Sequence, residues 1–213
     1  MIVISDMMGT LTEGSPVLGL VNWVRSNQSK LQAQLYMASI APAYFLARKG
    51  WINRQAWGQN LMIESLGLIR NATPEKFSQI AEWIVEYDLW PKRRQDVIDR
   101  LTTHAKQGDQ VYIASSVMEP VAQAFANRIG VQAMGSPVEY KNGRILLTAG
   151  LVASDRKIQQ VLKKLNQSRV DFAYGDTEMD IPLLEHADHP VAVYPDQKLR
   201  SLALERSWEI HEQ

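Results

Sequence analysis

The chain has 213 residues, 46% of them apolar and 22% charged, which is enough for a sizeable core in one large globular domain or a domain with an insertion. Its 23 basic residues equal its 23 acidic ones, so the summed charge gives no attraction for DNA, RNA or an anionic membrane, and none of these is expected as a partner. It has no cysteine, which excludes disulfides, thiolate metal sites and a cysteine nucleophile and agrees with a reducing, cytoplasmic setting.

The chain opens as a buried strand, the apolar run Ile2, Val3 and Ile4 climbing to Ser5 and Asp6. No basic stretch precedes it, so it reads as a strand rather than a secretory leader. From about Ser15 to Trp90 only helical patterns follow: "PVLGLVNWVRS", "SKLQAQLYMASIAPAYFLARKG" stopped by Gly50, "NRQAWGQNLMIESLGLI", and "ATPEKFSQIAEWIVEY" with Thr73 as N-cap and Pro74 at N1. The longest uncharged run, Leu31 to Ala47, contains Gln32, Gln34, Ser39 and Pro42 and falls short of the roughly 20 apolar residues of a membrane span. It predicts a helix bent or interrupted at Pro42, with an apolar face that serves either as core of the insert or as the seam of a homodimer.

After Trp90-Pro91 the pattern alternates. Helix 92–107 ends at Gly108, and "QVYIA" is a buried strand running into Ser115-Ser116. Helix 119–129 ends at Gly130, and "VEYKNGRILL" alternates about Asn142-Gly143 as a hairpin. A helix from Ser154 to Leu165 leads to strand "VDFAY", then "GDTEMD", a short helix, strand "VAVY" and a last helix near 197–206. This order predicts an α/β fold, a doubly wound and mostly parallel sheet covered on both faces, with an inserted all-helical domain. The core would comprise residues 1–14 and 90–213 and the helical cap residues 15–89, hinged near 12–16 and 88–92. Such an insert would sit over the carboxyl edge of the sheet, where ligands bind in open α/β folds.

Four features fall at or beside predicted strand ends: Asp6-Met7-Met8-Gly9-Thr10, Ser115, Lys157, and Asp176 with Asp180. Three carboxylates with a lysine and a serine suit phosphate chemistry. Mg²⁺ takes hard oxygen ligands, a carboxylate can attack phosphorus, and an ammonium offsets charge on the transferring group. Gly9 allows close backbone approach, while Thr10 and Ser115 can donate hydrogen bonds to phosphoryl oxygens.

The order and spacing of these motifs resemble the haloacid dehalogenase superfamily, in particular its phosphoserine-phosphatase-like branch with a helical cap. "VISDMMGTLT" is similar to the first motif, "VYIASSV" to the second, Lys157 to the third and "YGDTEMDIPLLEHAD" to the fourth; "VAVYPDQKLRSLALERSWEI" resembles the closing segment. The resemblance covers residues 1–14 and 90–210 and implies a Mg²⁺-dependent hydrolase of a small phosphorylated metabolite. It implies Asp6 as nucleophile, Gly9, Thr10, Ser115 and Lys157 around the phosphoryl group, and Asp6, Asp176, Asp180 and the Met8 carbonyl at the metal.

Met8 is the departure. The family's phosphatases carry an acid here that protonates the leaving oxygen and then activates water, help worth roughly 10²–10⁴-fold. A thioether has no proton to give. The resemblance therefore implies intact transfer machinery with poor turnover of ordinary esters. The alternatives are a phosphonatase- or transferase-like enzyme, for which Lys30, Lys49 and Lys76 are the cap's lysines, or a non-catalytic module binding phosphate and Mg²⁺. Glu13 is a candidate stand-in acid. Trp23, Trp51, Trp57 and Trp83 are expected in the cap core, and His104, His186, His189 and His211 in surface or loop positions.

Overall fold

A computed structural model describes residues 1–141, 144–147 and 155–212. Six strands form one parallel sheet in the order β3-β2-β1-β6-β7-β8, with β1 at Ile2–Ser5, β2 at Gln110–Met118, β3 at Gln132–Ser136, β6 at Val170–Gly175, β7 at Ala187–Val193 and β8 at Glu209–His211. The short hairpin of β4 (Glu139–Lys141) and β5 (Arg144–Leu146) is antiparallel as expected; its Asn142-Gly143 turn lies outside the described residues, as does Ser154. The chain runs outward from β1 through β2 to β3, crosses back to β6 on the other side of β1, and continues outward. That reversal beside β1 is the switch point at which open sheets form a crevice.

Alternation along β1 divides the interior, because successive side chains of a strand point to opposite faces. Val3 joins a cluster with Ile113, Val121, Phe125 and Leu101, from β2, α6 (Glu119–Ile129) and α5 (Gln95–Lys106). Ile4 joins the opposite one with Ile158, Leu183 and Leu199, from α7 (Asp155–Leu165), α8 (Ile181–Glu185) and α9 (Gln197–Glu205). Both faces are thus covered, which is why β1, β2 and β6 read as continuous apolar runs.

Between β1 and α5 the chain forms the helical insert: α1 (Pro16–Asn27), α2 (Lys30–Arg48), α3 (Arg54–Ser65) and α4 (Pro74–Ile84), followed by a π-helical turn Val85–Leu89. Ser15, Ser29, Asn53 and Thr73 each cap a helix by accepting a backbone N–H, and Pro74 stands at the start of α4 as predicted. Phe77, Ile80 and Ile84 of α4 are fully buried and belong to the same apolar cluster as Val3 and Phe125. The insert therefore extends the core of one sheet face.

Several local expectations need correction. Pro42 lies inside an unbroken α2; it and Ala38 are exposed, where water can satisfy the carbonyl left without a donor. Pro91 sits in a 3₁₀ turn, Trp90–Lys92, so α5 starts at Gln95 rather than at 92. Strand β2 runs past Ser115 and Ser116 to Met118. Strands β3 and β8, absent from the sequence reading, are short edge strands containing Gly135, Ser136, Glu209 and His211, too polar to show as apolar runs. His104 and His211 belong to regular elements and bond Asp109 and Asp96, and Trp51 is 72% exposed instead of cap core.

The two chain crossings into the insert lie side by side. Thr12 is fully buried; its Oγ1 donates to the Leu89 carbonyl at 2.6 Å and accepts from the Gly14 N–H at 3.1 Å. Removing such a hydroxyl leaves buried groups unpaired, at a cost of about 1–3 kcal/mol. Thr12→Val is therefore expected to lower unfolding free energy by about that amount in urea titration while retaining the native helical content.

Candidate active site

Asp6 follows β1 at the carboxyl edge, where Ser5 is in register with Ile113 of β2 and Tyr174 of β6. The Asp6 N–H donates to the Tyr174 carbonyl at 2.9 Å, carrying the ladder one residue past the strand. By this register Ser115 and Asp176, each two residues beyond a partner of Ser5, come level with the segment just after Asp6. The loop then folds tightly: the Gly9 N–H donates to the Thr12 carbonyl at 2.8 Å and the Leu11 N–H to the Met7 carbonyl at 2.9 Å. Gly9 has φ +89°, and a Cβ there would lie 2.0 Å from Asp176 Oδ2, so glycine is required on two grounds.

The carboxylates of Asp6, Asp176 and Asp180 each offer an oxygen within 4.8 Å of the others. Lys157, on the first turn of α7, joins them. Its Nζ donates to Asp6 Oδ1 at 2.8 Å and to Asp180 Oδ1 at 2.5 Å, and all three groups are buried. Asp180 is further engaged through Oδ2, which accepts from the Asp176 and Thr177 backbone N–H groups at 3.2 and 3.3 Å. It therefore shapes the loop as a capping carboxylate as well as facing the cluster. Thr10 Oγ1 donates to Asp176 Oδ1 at 2.8 Å. Ser115 is buried, and its Oγ accepts from the Val117 N–H at 3.3 Å.

Two positions outside the sequence-level candidates hold this arrangement. A Cβ on Gly175 would lie 2.4 Å from Asp180 Cβ, so glycine lets the loop close over Asp180. Asp196 caps α9 through Oδ1, accepts from the Glu178 N–H through Oδ2, and donates its own N–H to the Asp176 carbonyl at 2.9 Å. The signal for Asp196 was an acid just before a helical pattern; nothing local tied it to Asp176. Glu13, the candidate stand-in acid, pairs with Arg94 at 3.1 Å and is largely exposed. Met8 is partly buried against the apolar cluster, and its backbone bridges to Thr12.

Burial dominates the electrostatics. It pushes the Asp6 carboxyl up to about 6, with Lys157 opposing the rise and Asp180 adding to it. Burial, then Asp6 and Asp180, push Asp176 up to about 8 against the Thr10 hydrogen bond. For Lys157 burial favours the neutral amine, but Asp180 and Asp6 outweigh it and hold the group charged. Three carboxylates thus face one ammonium. This excess of hard, buried negative charge fits a divalent cation such as Mg²⁺.

A family model for haloacid dehalogenase-like hydrolases matches residues 3–185, and the chain belongs to that family. It is similar to a phosphoserine phosphatase of Mycobacterium tuberculosis, with 31% identity over 144 residues, 63% of this chain and 44% of that protein. The chain therefore spans less than half the length of this relative. A Bordetella pertussis protein of unknown function superposes with TM-score 0.74 at 18% identity, covering 99% of this chain and 97% of the other. A substrate-bound phosphoserine phosphatase superposes with TM-score 0.61 at 12% identity, covering 100% and 92%. The family model bears out the superfamily expected from the motifs, and the structural likenesses bear out the fold.

A carboxyl whose folded pKa is raised gives stability that is fully present below its unfolded value and lost as pH rises through the folded value. For Asp176 that window runs from about 4 to about 8. Asp176→Asn removes the penalty and keeps an oxygen for Thr10. Without metal, the variant is expected to gain melting temperature over the parent as pH rises from 5 to 8. The gain should be a few degrees, since ~1 kcal/mol moves Tm by about 2–4 °C at this size. Mg²⁺ should raise the parent's Tm at pH 8 and leave the variant nearly unmoved.

Proposed function

We propose that the chain is a Mg²⁺-dependent phosphatase of a small phosphorylated metabolite, acting through Asp6, with turnover restrained by Met8. The observation that supports this most is the buried contact of Lys157 with both Asp6 and Asp180, beside Asp176 and Thr10. Asp6, Asp176, Asp180 and the Met8 carbonyl would hold the ion, which supplies positive charge that keeps the carboxylates ionised at neutral pH and offsets charge on the phosphoryl oxygens.

The reaction asks five things of the side chains. An Asp6 carboxylate oxygen attacks phosphorus as the bond to the leaving oxygen breaks, giving an aspartyl-phosphate and an alkoxide. Lys157 offers its ammonium to a phosphoryl oxygen and orients Asp6. Thr10, Ser115 and the Gly9 backbone contribute hydrogen bonding and close approach. The leaving oxygen needs a proton. The water that releases phosphate from Asp6 must lose one, and Met8 does neither.

The Met8 side chain also supports a second reading, a phosphonatase- or transferase-like enzyme or a binding module without turnover. The first two need a leaving group or acceptor that dispenses with the missing acid, and the third uses only the pocket.

Phosphate release from a panel of monoesters separates these. Asp6→Asn is expected to abolish release, and Met8→Asp to raise it by about 10²–10⁴-fold. Release unaffected by Asp6→Asn would refute the proposal. Parent and Met8→Asp both inert while binding Mg²⁺ and phosphate would favour the binding module. Borohydride trapping with a phosphonate substrate tests the phosphonatase reading.

Asp6, Lys157 and Asp180 are too buried to receive a substrate without movement. The cap, residues 15–89, is therefore proposed to open about the crossings near 12–16 and 88–92. Hydrogen exchange in α1 and α4 is expected to slow when a phosphate mimic and Mg²⁺ are added. Equal exchange with and without them counts against the hinge.

A further inference from the structure

Charge balance over the whole chain conceals a local asymmetry. Residues 14–63 contain Arg25, Lys30, Arg48, Lys49 and Arg54 and no acidic residue, so the rest of the chain carries a net negative charge. The same segment holds most of the large apolar side chains that the fold leaves in water, nine of the thirteen among the described residues. They concentrate on α2, which packs inward chiefly through Ala33 and Ala47. Leu31, Leu35 and Phe45, with Ala38 and Pro42 between them, recur at helical spacing on one exposed face. An ordinary surface helix carries polar residues there.

At the end of α2 the apolar face runs into an aromatic and basic cluster. Tyr44 meets Phe45 edge-on at 5.8 Å and Trp57 at 6.2 Å, while Lys49 Nζ lies 5.4 Å from the ring centre of the exposed Trp51. Exposed aliphatic and aromatic groups beside cations, with no acid among them, are the chemistry of a helix lying in a bilayer interface. Among the described residues no helix is long and apolar enough to cross a membrane. At 19 residues α2 would instead lie along the surface for about 28 Å.

We infer that the exposed face of α2, with the Arg48–Trp51 corner, docks on an anionic phospholipid surface. Charge favours this over a second copy of the chain. In a two-fold pair the patch meets itself, so these cations would face cations with no carboxylate among them to pair with. An anionic surface attracts the basic residues and the apolar side chains enter its headgroup boundary. The expectation of no membrane partner rested on summed charge, which does not describe this segment.

The test is sedimentation of the full chain with vesicles of phosphatidylcholine, alone or mixed with phosphatidylglycerol, at low and high salt. Binding is expected only to the mixed vesicles, with a blue shift of tryptophan emission, and is expected to weaken in high salt. Leu35→Glu with Phe45→Glu, and separately Arg48→Glu with Lys49→Glu, should each reduce it by about tenfold or more while circular dichroism stays unchanged. No binding by the parent, or binding undiminished in both double variants, overturns the proposal. So does a stable dimer by light scattering that Leu35→Glu with Phe45→Glu dissociates while vesicles remain unbound.

Discussion

The buried ammonium of Lys157, shared by Asp6 and Asp180, is the interaction on which the site depends. It ties together three parts of the chain far apart in sequence: the end of β1, the first turn of α7 and the loop after β6. Taking these charges out of water is costly, and the cost is offset only while each keeps its partner. The surroundings supply that condition. Gly175 lets the loop close on Asp180, backbone N–H groups satisfy the remaining Asp180 oxygen, and Asp196 holds the Asp176 loop from behind.

One ammonium does not balance three carboxylates, and the imbalance falls on Asp176 and Asp6. Strain of this kind suits a site that takes up positive charge from outside, since a cation relieves the same repulsion that burial creates. Against that background Met8 is conspicuous. It stands two residues after Asp6, where the proposed reaction would use a further acid, yet it contributes apolar packing, and Glu13 is drawn away to Arg94. Lys157, Thr10 and three carboxylates are gathered at one edge of the sheet, and neither position 8 nor Glu13 adds a further acid to them.

The helical insert has two characters. Through α4 and Thr12 it is continuous with the core, sharing an apolar cluster with Val3 and Phe125 and clamping its own two connections together. Through α2 it faces water with leucine and aromatic side chains that the interior does not use. A helix apolar on both faces is out of place at a free surface. The basic residues at its two ends, Lys30, Arg48 and Lys49, narrow what would cover it.

Much of this was legible in the chain order. Apolar runs ending in Ser5-Asp6, Ser115 and Gly175-Asp176 announced buried parallel strands with polar groups at one edge, and Thr73-Pro74 announced the start of α4, because these signals are local and strongly periodic. Strands β3 and β8 were not legible, being short, polar and held only by their neighbours. The sequence by itself determined the fold class, the family and the residues available for chemistry, including the missing acid at Met8. Only the tertiary structure decided that Lys157 joins Asp6 to Asp180, that Glu13 belongs to Arg94, and that the apolar run 31–47 faces outward. Periodicity records which side chains share a face, whereas burial and pairing are set by what the rest of the chain brings against that face.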